Sequence, residues 1–252
     1  MLLPRCPLSG TLVSVSETAT PLSGGRITQG VVRIGDTVRR PMTSDHSLAH
    51  GLLRHLEQQQ FSGAPRFLGI DAEQREILSY LEGDVPADIG HYDDRVLAAA
   101  AALLRQFHDA SSGFAAVEAA GAETMCHNDW GPPNAVFSGG LPVGMIDFDT
   151  VRPGLRLWDL GYSAFSWLDL GDDGYSGEQQ ISRLQVFAEA YGLDACSAEK
   201  ISVFAVARQA ALAAAGRAKG QHAMADWAAA AADWTVANVT EKLSPTGMMP
   251  PA

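Results

Sequence analysis

Four polar side chains that can do chemistry together stand in one stretch, CHNDWGPPNAVFSGGLPVGMIDFDT, residues 126–150. The loop HNDWGPPN spaces them as His127-x-Asp129-x-x-x-x-Asn134, and the apolar run VGMIDFD then delivers Asp147 at its end. A carboxylate that orients a hydroxyl, an amide ligand five residues on and a second carboxylate ligand after a strand suit phosphoryl transfer. That reaction needs positioning and neutralisation of phosphate charge, with little covalent help. Asp129 is therefore expected to accept or orient an acceptor hydroxyl, and Asn134 and Asp147 to hold Mg²⁺ through hard oxygen ligands. Asp149, two residues further, is a candidate to ligate the metal or to support Asp147. Each residue taken alone has an ordinary explanation: Asn134 ends a Pro-Pro turn, and Asp147 caps a hairpin. The ordered set between two strand-like runs is what points to chemistry.

The elements that must position this set change character near Gly83. Before it, strand signals dominate. TLVSVSETATPL and VVRIGDTVRRP are short β-branched runs, the second split by the hairpin-forming pair Gly35-Asp36. The glycine-bearing SGGRITQG lies between them. A helix follows in SDHSLAHGLLRHLEQQQF, with Leu48, Leu52, Leu53 and Leu56 on one face and Ser44 or Asp45 as N-cap. PRFLGIDAEQREILSYLEG reads as two more strands around a polar turn. After Gly83 the chain is mostly helical. DDRVLAAAAALLRQFHDAS carries one apolar stripe, and further helices are expected around 159–168, 178–192, 198–219 and 221–242. Trp227 and Trp234, seven apart, are expected to face one core. The division is thus 1–83, an N-terminal lobe ending in a hinge, and 84–252, a helical C-terminal lobe.

Composition excludes several classes. The 252 residues are 46% hydrophobic and 19% charged, as in ordinary soluble globular proteins, with a formal net charge of -11. That charge argues against nucleic-acid and anionic-membrane partners and allows a cationic substrate. Cys6, Cys126 and Cys196 are few, odd in number and far apart, which suits reduced thiols and not a disulfide framework or cysteine zinc site. The segment ISVFAVARQAALAAAGRAKG is broken by Arg208 and Arg217 and reads as a buried or half-buried helix, not a membrane span. MLLPRCPLSG has neither the charged start nor the long apolar stretch of a signal peptide, so a cytoplasmic location is expected.

From about Gly24 to Trp167 the chain resembles the aminoglycoside phosphotransferase and choline kinase group of small-molecule kinases. The matching pieces are CHNDWGPPN as catalytic loop, IDFD as metal segment, RLWDLGYSAFSW as the helix after it and LLRQFHDAS as the helix before it. The resemblance implies an α+β, two-lobed protein-kinase-like fold, with a small β-rich N-lobe and a larger helical C-lobe. It implies that Asp159 accepts backbone N–H groups of the catalytic loop and that His127 anchors that loop. It also implies ATP, with GTP open, held under the SGGRITQG loop at Gly24 and Gly25 and against the hinge at Tyr80, Leu81 and Glu82. The phosphate-binding cation expected on the third strand is not lysine here; Arg39 and Arg40 offer themselves. Strand alternation places Val38 and Arg40 on one face. The family's pattern of an apolar residue two before the cation favours Arg40.

A second departure, after the missing lysine, qualifies that implied function. The helix that should bear a glutamate facing the cation holds Ala49, His50 and Gly51, and Glu57 comes too late. Gly131 stands where kinases acting on protein serine or threonine carry lysine, which points to a small acceptor. Asp169, Asp172 and Asp173, after the metal-segment helix, are candidates to meet an amine-bearing acceptor, although a solvated acidic loop accounts for them as well. The expected activity is transfer of the γ-phosphate of a nucleoside triphosphate to a hydroxyl of an aminoglycoside-like or other small molecule, as in antibiotic resistance. The alternative is a catalytically weak relative that sequesters a nucleotide or toxic compound in a resistance or immunity role.

Overall fold

The computed structural model describes residues 18–22, 30–42, 44–172 and 174–244. Gly24, Gly25 and Asp173 lie outside the described residues, as do most of the first strand-like run and the C-terminal tail. The short β-branched runs assemble as one antiparallel sheet of β1 (Thr20–Pro21), β2 (Val32–Ile34), β3 (Thr37–Pro41), β4 (Phe67–Ile70) and β5 (Arg75–Ser79), in the order β1-β2-β3-β5-β4. Gly35, at φ 57°, turns β2 into β3 as its pairing with Asp36 predicts. In the register of β3 and β5, Val38 faces Leu78 and Arg40 faces Glu76.

Helix α1 (Ser47–Gln58) crosses between β3 and β4 and buries Leu52, Leu53 and Leu56. Its start differs from expectation. His46 occupies the cap position without a side-chain capping bond, while Asp45 Oδ1 accepts from the Ser47 N–H at 2.8 Å. Neither Ser44 nor Asp45 is therefore the cap.

The C-lobe begins with α2 (Asp94–Ser111), capped by Asp93, whose carboxylate accepts from Val96 N–H at 3.0 Å. Its buried stripe of Val96, Leu97, Ala100, Leu103, Leu104 and Phe107 follows the 3.6-residue period. A short α3 (Ala115–Ala120), not among the expected elements, leads to β6 (Thr124–Cys126), which pairs with β9 (Arg152–Gly154). Between these lies the hairpin of β7 (Ala135–Ser138) and β8 (Leu141–Met145). The strands of these two pairs bracket the reactive loop and metal segment. Helices α4 (Arg156–Leu168), α5 (Gly177–Tyr191), α6 (Ala198–Ala218) and α7 (His222–Thr235) complete the lobe. The last ends in a π-helical stretch, Val236–Thr240, where a continuous helix was expected. Trp227 and Trp234 do not share a core: Trp227 is 44% exposed with its ring against Phe165, and Trp234 is half-buried. The buried face of α7 is instead alanine, at 225, 228, 231 and 232, which lets α7 lie close on α6.

The lobes meet at a glycine. Asp84 exchanges two backbone hydrogen bonds with Phe137 of β7, at 2.9 and 2.7 Å. Gly83, at φ 148°, passes so close to β7 that an added Cβ would lie 2.3 Å from the Phe137 carbonyl oxygen. No other residue type fits there.

The α4–α6 contact is comparably tight. A Cβ on Gly161 would lie 2.5 Å from the carbonyl carbon and 2.7 Å from the oxygen of Phe204 in the α6 backbone. Because helix backbone cannot yield locally, Gly161→Ala is expected to separate the helices and lower unfolding free energy by about 1–3 kcal/mol. Urea denaturation measures this; an unchanged midpoint would refute the close approach.

Candidate active site

The reactive loop is held by one buried carboxylate. Asn128 adopts φ 65°, a left-handed conformation that asparagine tolerates, and this follows directly on β6. The N–H groups of His127 and Asn128 both donate to Asp159 of α4, each at 2.7 Å. Asp159 is wholly buried and also faces His108 Nε2 at 3.0 Å. The other nitrogen of His108 lies 2.7 Å from the Tyr191 hydroxyl. These partners define one arrangement: Tyr191 donates to Nδ1, and Nε2–H donates to the carboxylate. Burial opposes ionisation of Asp159, but the hydrogen bonds it accepts from His108 and from the His127 backbone N–H outweigh it and hold the carboxyl below its usual range. Burial depresses His108 in turn, so its ring is neutral.

His127 lies where an anchor should. Its ring is buried among Phe107, Trp130 and Phe148, and Nε2–H donates to the Ile146 carbonyl at 3.1 Å, behind the metal segment. It does not line the cleft. On the other side of the loop, Arg208 of α6 donates to Asn128 Oδ1 at 3.1 Å and to its carbonyl at 2.7 Å.

Asp129 emerges from this frame onto the floor of a cleft of about 590 Å³ between the lobes. Asn134 Nδ2 donates at 2.8 Å to Asp129 Oδ2, and the Tyr162 hydroxyl of α4 donates to Oδ1 in a short hydrogen bond. Burial and the neighbouring Asp129 push the Tyr162 hydroxyl well up, which keeps it a donor. Both carboxylate oxygens are thus oriented, with lone pairs left to accept a third hydrogen. Because Asn134 spends its NH₂ on Asp129, its carbonyl oxygen is the end left for a cation. Gly131 permits the loop's path, since a Cβ there would lie 2.1 Å from Ser166 Oγ.

Across the cleft the metal segment meets the sheet. Asp147 lies two residues beyond β8 at φ 64° and caps the 3₁₀ turn, Phe148–Thr150, that carries Asp149. Arg40 reaches both: two bonds of 2.6 Å to Asp149 and one of 2.9 Å to Asp147. A third carboxylate, Glu76, lies 2.9 Å from the same guanidinium and is buried. The consequences for the two aspartates differ. Against burial, the doubled bond to Arg40 holds Asp149 below the usual carboxylate range. Burial pushes Asp147 above it, despite Arg40, with Asp149 and Asp129 adding repulsion. A half-buried carboxylate and an asparagine carbonyl oxygen that line the same cleft are hard oxygen donors that a divalent cation would fit.

Other expected residues fall elsewhere. Arg39 is on the opposite strand face, 3.7 Å from Asp71 and 2.6 Å from Thr37 Oγ1, and does not line the cleft, so only Arg40 of the pair is brought to it. Tyr80 and Leu81 line the cleft, whereas Glu82 turns outward to Arg33 at 2.8 Å. Arg33 also lies over the Tyr80 ring at 3.7 Å. Asp169 and Asp172 gather around His91 outside the cleft lining, at 3.9 and 3.1 Å, because α4 ends at Asp169 and turns away. The acidic residue that lines the cleft beside the hinge is Asp84.

Three contributors escape sequence reasoning. Glu76 supplies the carboxylate sought in α1, but from β5; its alternation with Leu78 in REILS is the available signal. Tyr162 stands one turn after Asp159 in the recognised helix, so helical spacing could have placed it near the loop. Arg208 lies on a helix 80 residues from its partner Asn128, and no local signal marks it.

Residues 113–199, which span the reactive loop and metal segment, match the family described as Phosphotransferase enzyme family. The trifolitoxin immunity protein of Rhizobium leguminosarum bv. trifolii is 32% identical over 193 residues, covering 68% of this chain and 72% of that protein. A choline/ethanolamine kinase family protein from Mesorhizobium loti superposes with TM-score 0.60 at 16% identity, over 90% of this chain and 91% of that one. An aminoglycoside phosphotransferase from Alicyclobacillus acidocaldarius does so with TM-score 0.56 at 17% identity, over 95% and 96%. These likenesses establish the two-lobed protein-kinase-like fold. Among the described residues no helix is long and apolar enough to cross a membrane.

The neutral, buried His108 generates a pH dependence. In the unfolded chain histidine gains a proton as pH falls through about 6.5, and buried His108 does not. The unfolded state then binds more protons, so stability falls with pH by up to about 1.4 kcal/mol per unit below that value. Asp159, depressed in the fold, loses its contribution only in the carboxylate range below about pH 4, a separate window. His108→Gln keeps a donor and an acceptor but removes the titration. Urea unfolding at several pH values between about 7.5 and 5 is expected to show a variant less stable at the upper end, with a flatter acid-side decline. Parallel declines would show that another group is responsible.

Proposed function

The chain belongs to the phosphotransferase enzyme family, and from that membership we propose that it transfers the γ-phosphate of a nucleoside triphosphate to a hydroxyl of a small molecule. The observation that carries the reading is Asp129. It is set on the cleft floor with both oxygens oriented by Tyr162 and Asn134, facing a wall that joins Arg40 to Asp147 and Asp149. The cleft volume suits a nucleotide with a small acceptor. Val38, Leu78, Leu81, Val136 and Ile146 give it an apolar wall for a base.

In the reaction, Asp129 accepts the hydroxyl proton as the oxygen attacks the γ-phosphorus and the β–γ bridging bond breaks, leaving a nucleoside diphosphate. Arg40 would bind the phosphates, and Asn134 with Asp147 would hold Mg²⁺. When bound, Mg²⁺ neutralises charge on the transferring phosphoryl group. Asp84 and Tyr162 line the cleft where an amine-bearing acceptor would be held; ATP and GTP both fit this reading.

A second reading is immunity by sequestration without turnover. Its support is the 32% identical trifolitoxin immunity protein, together with an Arg40 already engaged by three carboxylates. Phosphate or diphosphate release in the presence of candidate toxins and amine-bearing antibiotics separates the two: binding without release favours sequestration.

Two substitutions test the residue roles. Asp129→Asn keeps the shape and removes basicity, so single-turnover transfer should fall by about 10²–10⁴-fold with affinity for Mg-nucleotide within a few-fold. Near-normal transfer by the folded variant would sink the assignment. Arg40→Ala should weaken nucleotide triphosphate binding in calorimetry far more than Arg39→Ala, because only Arg40 lines the cleft. Equal losses, or the reverse order, would point to a different phosphate cation.

A further inference from the structure

Around the second oxygen of Glu76 stand two histidines for which phosphoryl transfer has no use. His46 caps α1 and His50 follows four residues later, so both rings project from one side of the helix start. His50 Nε2 lies 2.9 Å from Glu76 Oε2, and His46 Nδ1 lies 3.5 Å from the same oxygen. The three ligand-type atoms lie within 4.8 Å of one another, and all three residues are buried. The His50 ring stacks on Phe67 with centroids 3.8 Å apart, which fixes its orientation.

His46 is the anomaly. Its side chain is 2% exposed, yet neither ring nitrogen has a hydrogen-bond partner. A buried polar group left unmet costs about 1–3 kcal/mol. The local charge is unbalanced in the same direction: Glu76, Asp147 and Asp149 converge on the single guanidinium of Arg40. An unmet imidazole, a second imidazole on a carboxylate oxygen and surplus negative charge all call for a cation with an affinity for nitrogen.

We propose that His46, His50 and Glu76 form a binding site for a zinc-class divalent ion, held through His46 Nδ1, His50 Nε2 and Glu76 Oε2. Two imidazoles and one carboxylate select zinc, or cobalt as its probe, over magnesium. In a tetrahedral zinc site, bond lengths of about 2.0–2.1 Å place ligand atoms roughly 3.3 Å apart. The 3.5 Å separation already matches, and the 2.9 Å hydrogen bond opens by a few tenths of an ångström as it is replaced. Glu76 Oε1 stays on Arg40 at 2.9 Å. The ion would tie α1 to β5 and steady the carboxylate that holds Arg40. It differs from the proposed Mg²⁺ position at Asn134 and Asp147 in residues and in ligand chemistry.

The test uses the full chain without a histidine tag, stripped of metal by a chelator. After zinc addition and gel filtration, elemental analysis should find one equivalent retained in the presence of excess Mg²⁺. Cobalt should give the visible absorption of a four-coordinate ion, and zinc should raise the melting temperature where magnesium does not. Losing an outer-shell partner commonly weakens a metal site about 10–100-fold, so losing a ligand in His46→Gln should exceed that. His91→Ala, which removes the exposed His91–Asp169–Asp172 cluster, should change nothing. Failure of the wild-type chain to retain zinc, retention that survives His46→Gln, or retention lost in His91→Ala would each overturn the proposal. Should His46→Gln not fold, X-ray absorption of the zinc-loaded wild type decides: two imidazoles in the coordination sphere support the site, and fewer refute it.

Discussion

Asp159 carries its charge with no exposed surface, which a protein tolerates only when the lone pairs are met by donors. The donors come from α2, through His108, and from two consecutive amides of the reactive loop. The two amides can converge because Asn128 accepts a left-handed conformation. Asn128 is then secured from the far side by Arg208, while Thr150 Oγ1 donates to the His127 carbonyl at 2.7 Å and Asn128 donates back to the Thr150 carbonyl at 3.0 Å. Trp130, buried beneath the loop, donates to the Ala100 carbonyl of α2 at 3.1 Å. α2, α4, α6 and the metal segment thus share one short loop. A shift in any of them changes the aim of Asp129.

The sheet solves a different problem. A buried cation must be paired, and breaking such a pair is far more costly than never forming it. Burial opposes the Arg40 charge, yet its hydrogen bond to Asp149 and the charge of Asp147 outweigh that and hold the guanidinium charged. The partner expected from α1 is missing, and adjacent strand register supplies Glu76 instead. A strand partner is more rigid than a helix partner: β3 and β5 cannot slide without breaking their ladder, whereas α1 touches the sheet mainly through side chains. Arg40 is accordingly less free to swing with α1 than a cation paired to that helix would be.

Much of this was legible in the chain, and the boundary has a physical origin. The Gly35-Asp36 hairpin, the leucine face of α1 and the stripe of α2 depend on residues a few positions apart, so periodicity finds them. The buried role of Asp159 and the anchor position of His127 followed from the motif resemblance, and both geometries match. Arg40 over Arg39 followed from strand phase together with the family's pattern of an apolar residue two positions before the cation. Glu76 and Arg208 are different in kind, because each meets its partner across 36 and 80 residues. Their identity depends on strand order and helix packing, which no local pattern encodes. For the acidic run at Asp169 and Asp172 composition left a solvated loop and an acceptor contact both open, and the turn at the end of α4 directs the run to His91. Trp227 failed for a related reason, since α7 approaches α6 through alanine and leaves the large ring at the rim.

The charge around the cleft sets what it can admit. Asp129, Asp147 and Asp149 line it with Asp84 near the hinge, and Arg40 is bonded to Asp147 and Asp149 on the wall across from Asp129. Two like unit charges 4 Å apart repel by about 4 kcal/mol at an effective dielectric of about 20. A bare polyphosphate entering here meets several such terms, and Arg40 offsets only part of them while it remains divided among its carboxylates. On the proposed reading, divalent metal is therefore a condition of nucleotide entry before it is a condition of chemistry. The same field acts with opposite sign on the other substrate. An acceptor bearing amines is drawn to the carboxylates, and a neutral or anionic one is not. On the same reading, selectivity for a cationic acceptor needs no dedicated acidic loop, because the carboxylates assigned to the metal and the hydroxyl would provide it.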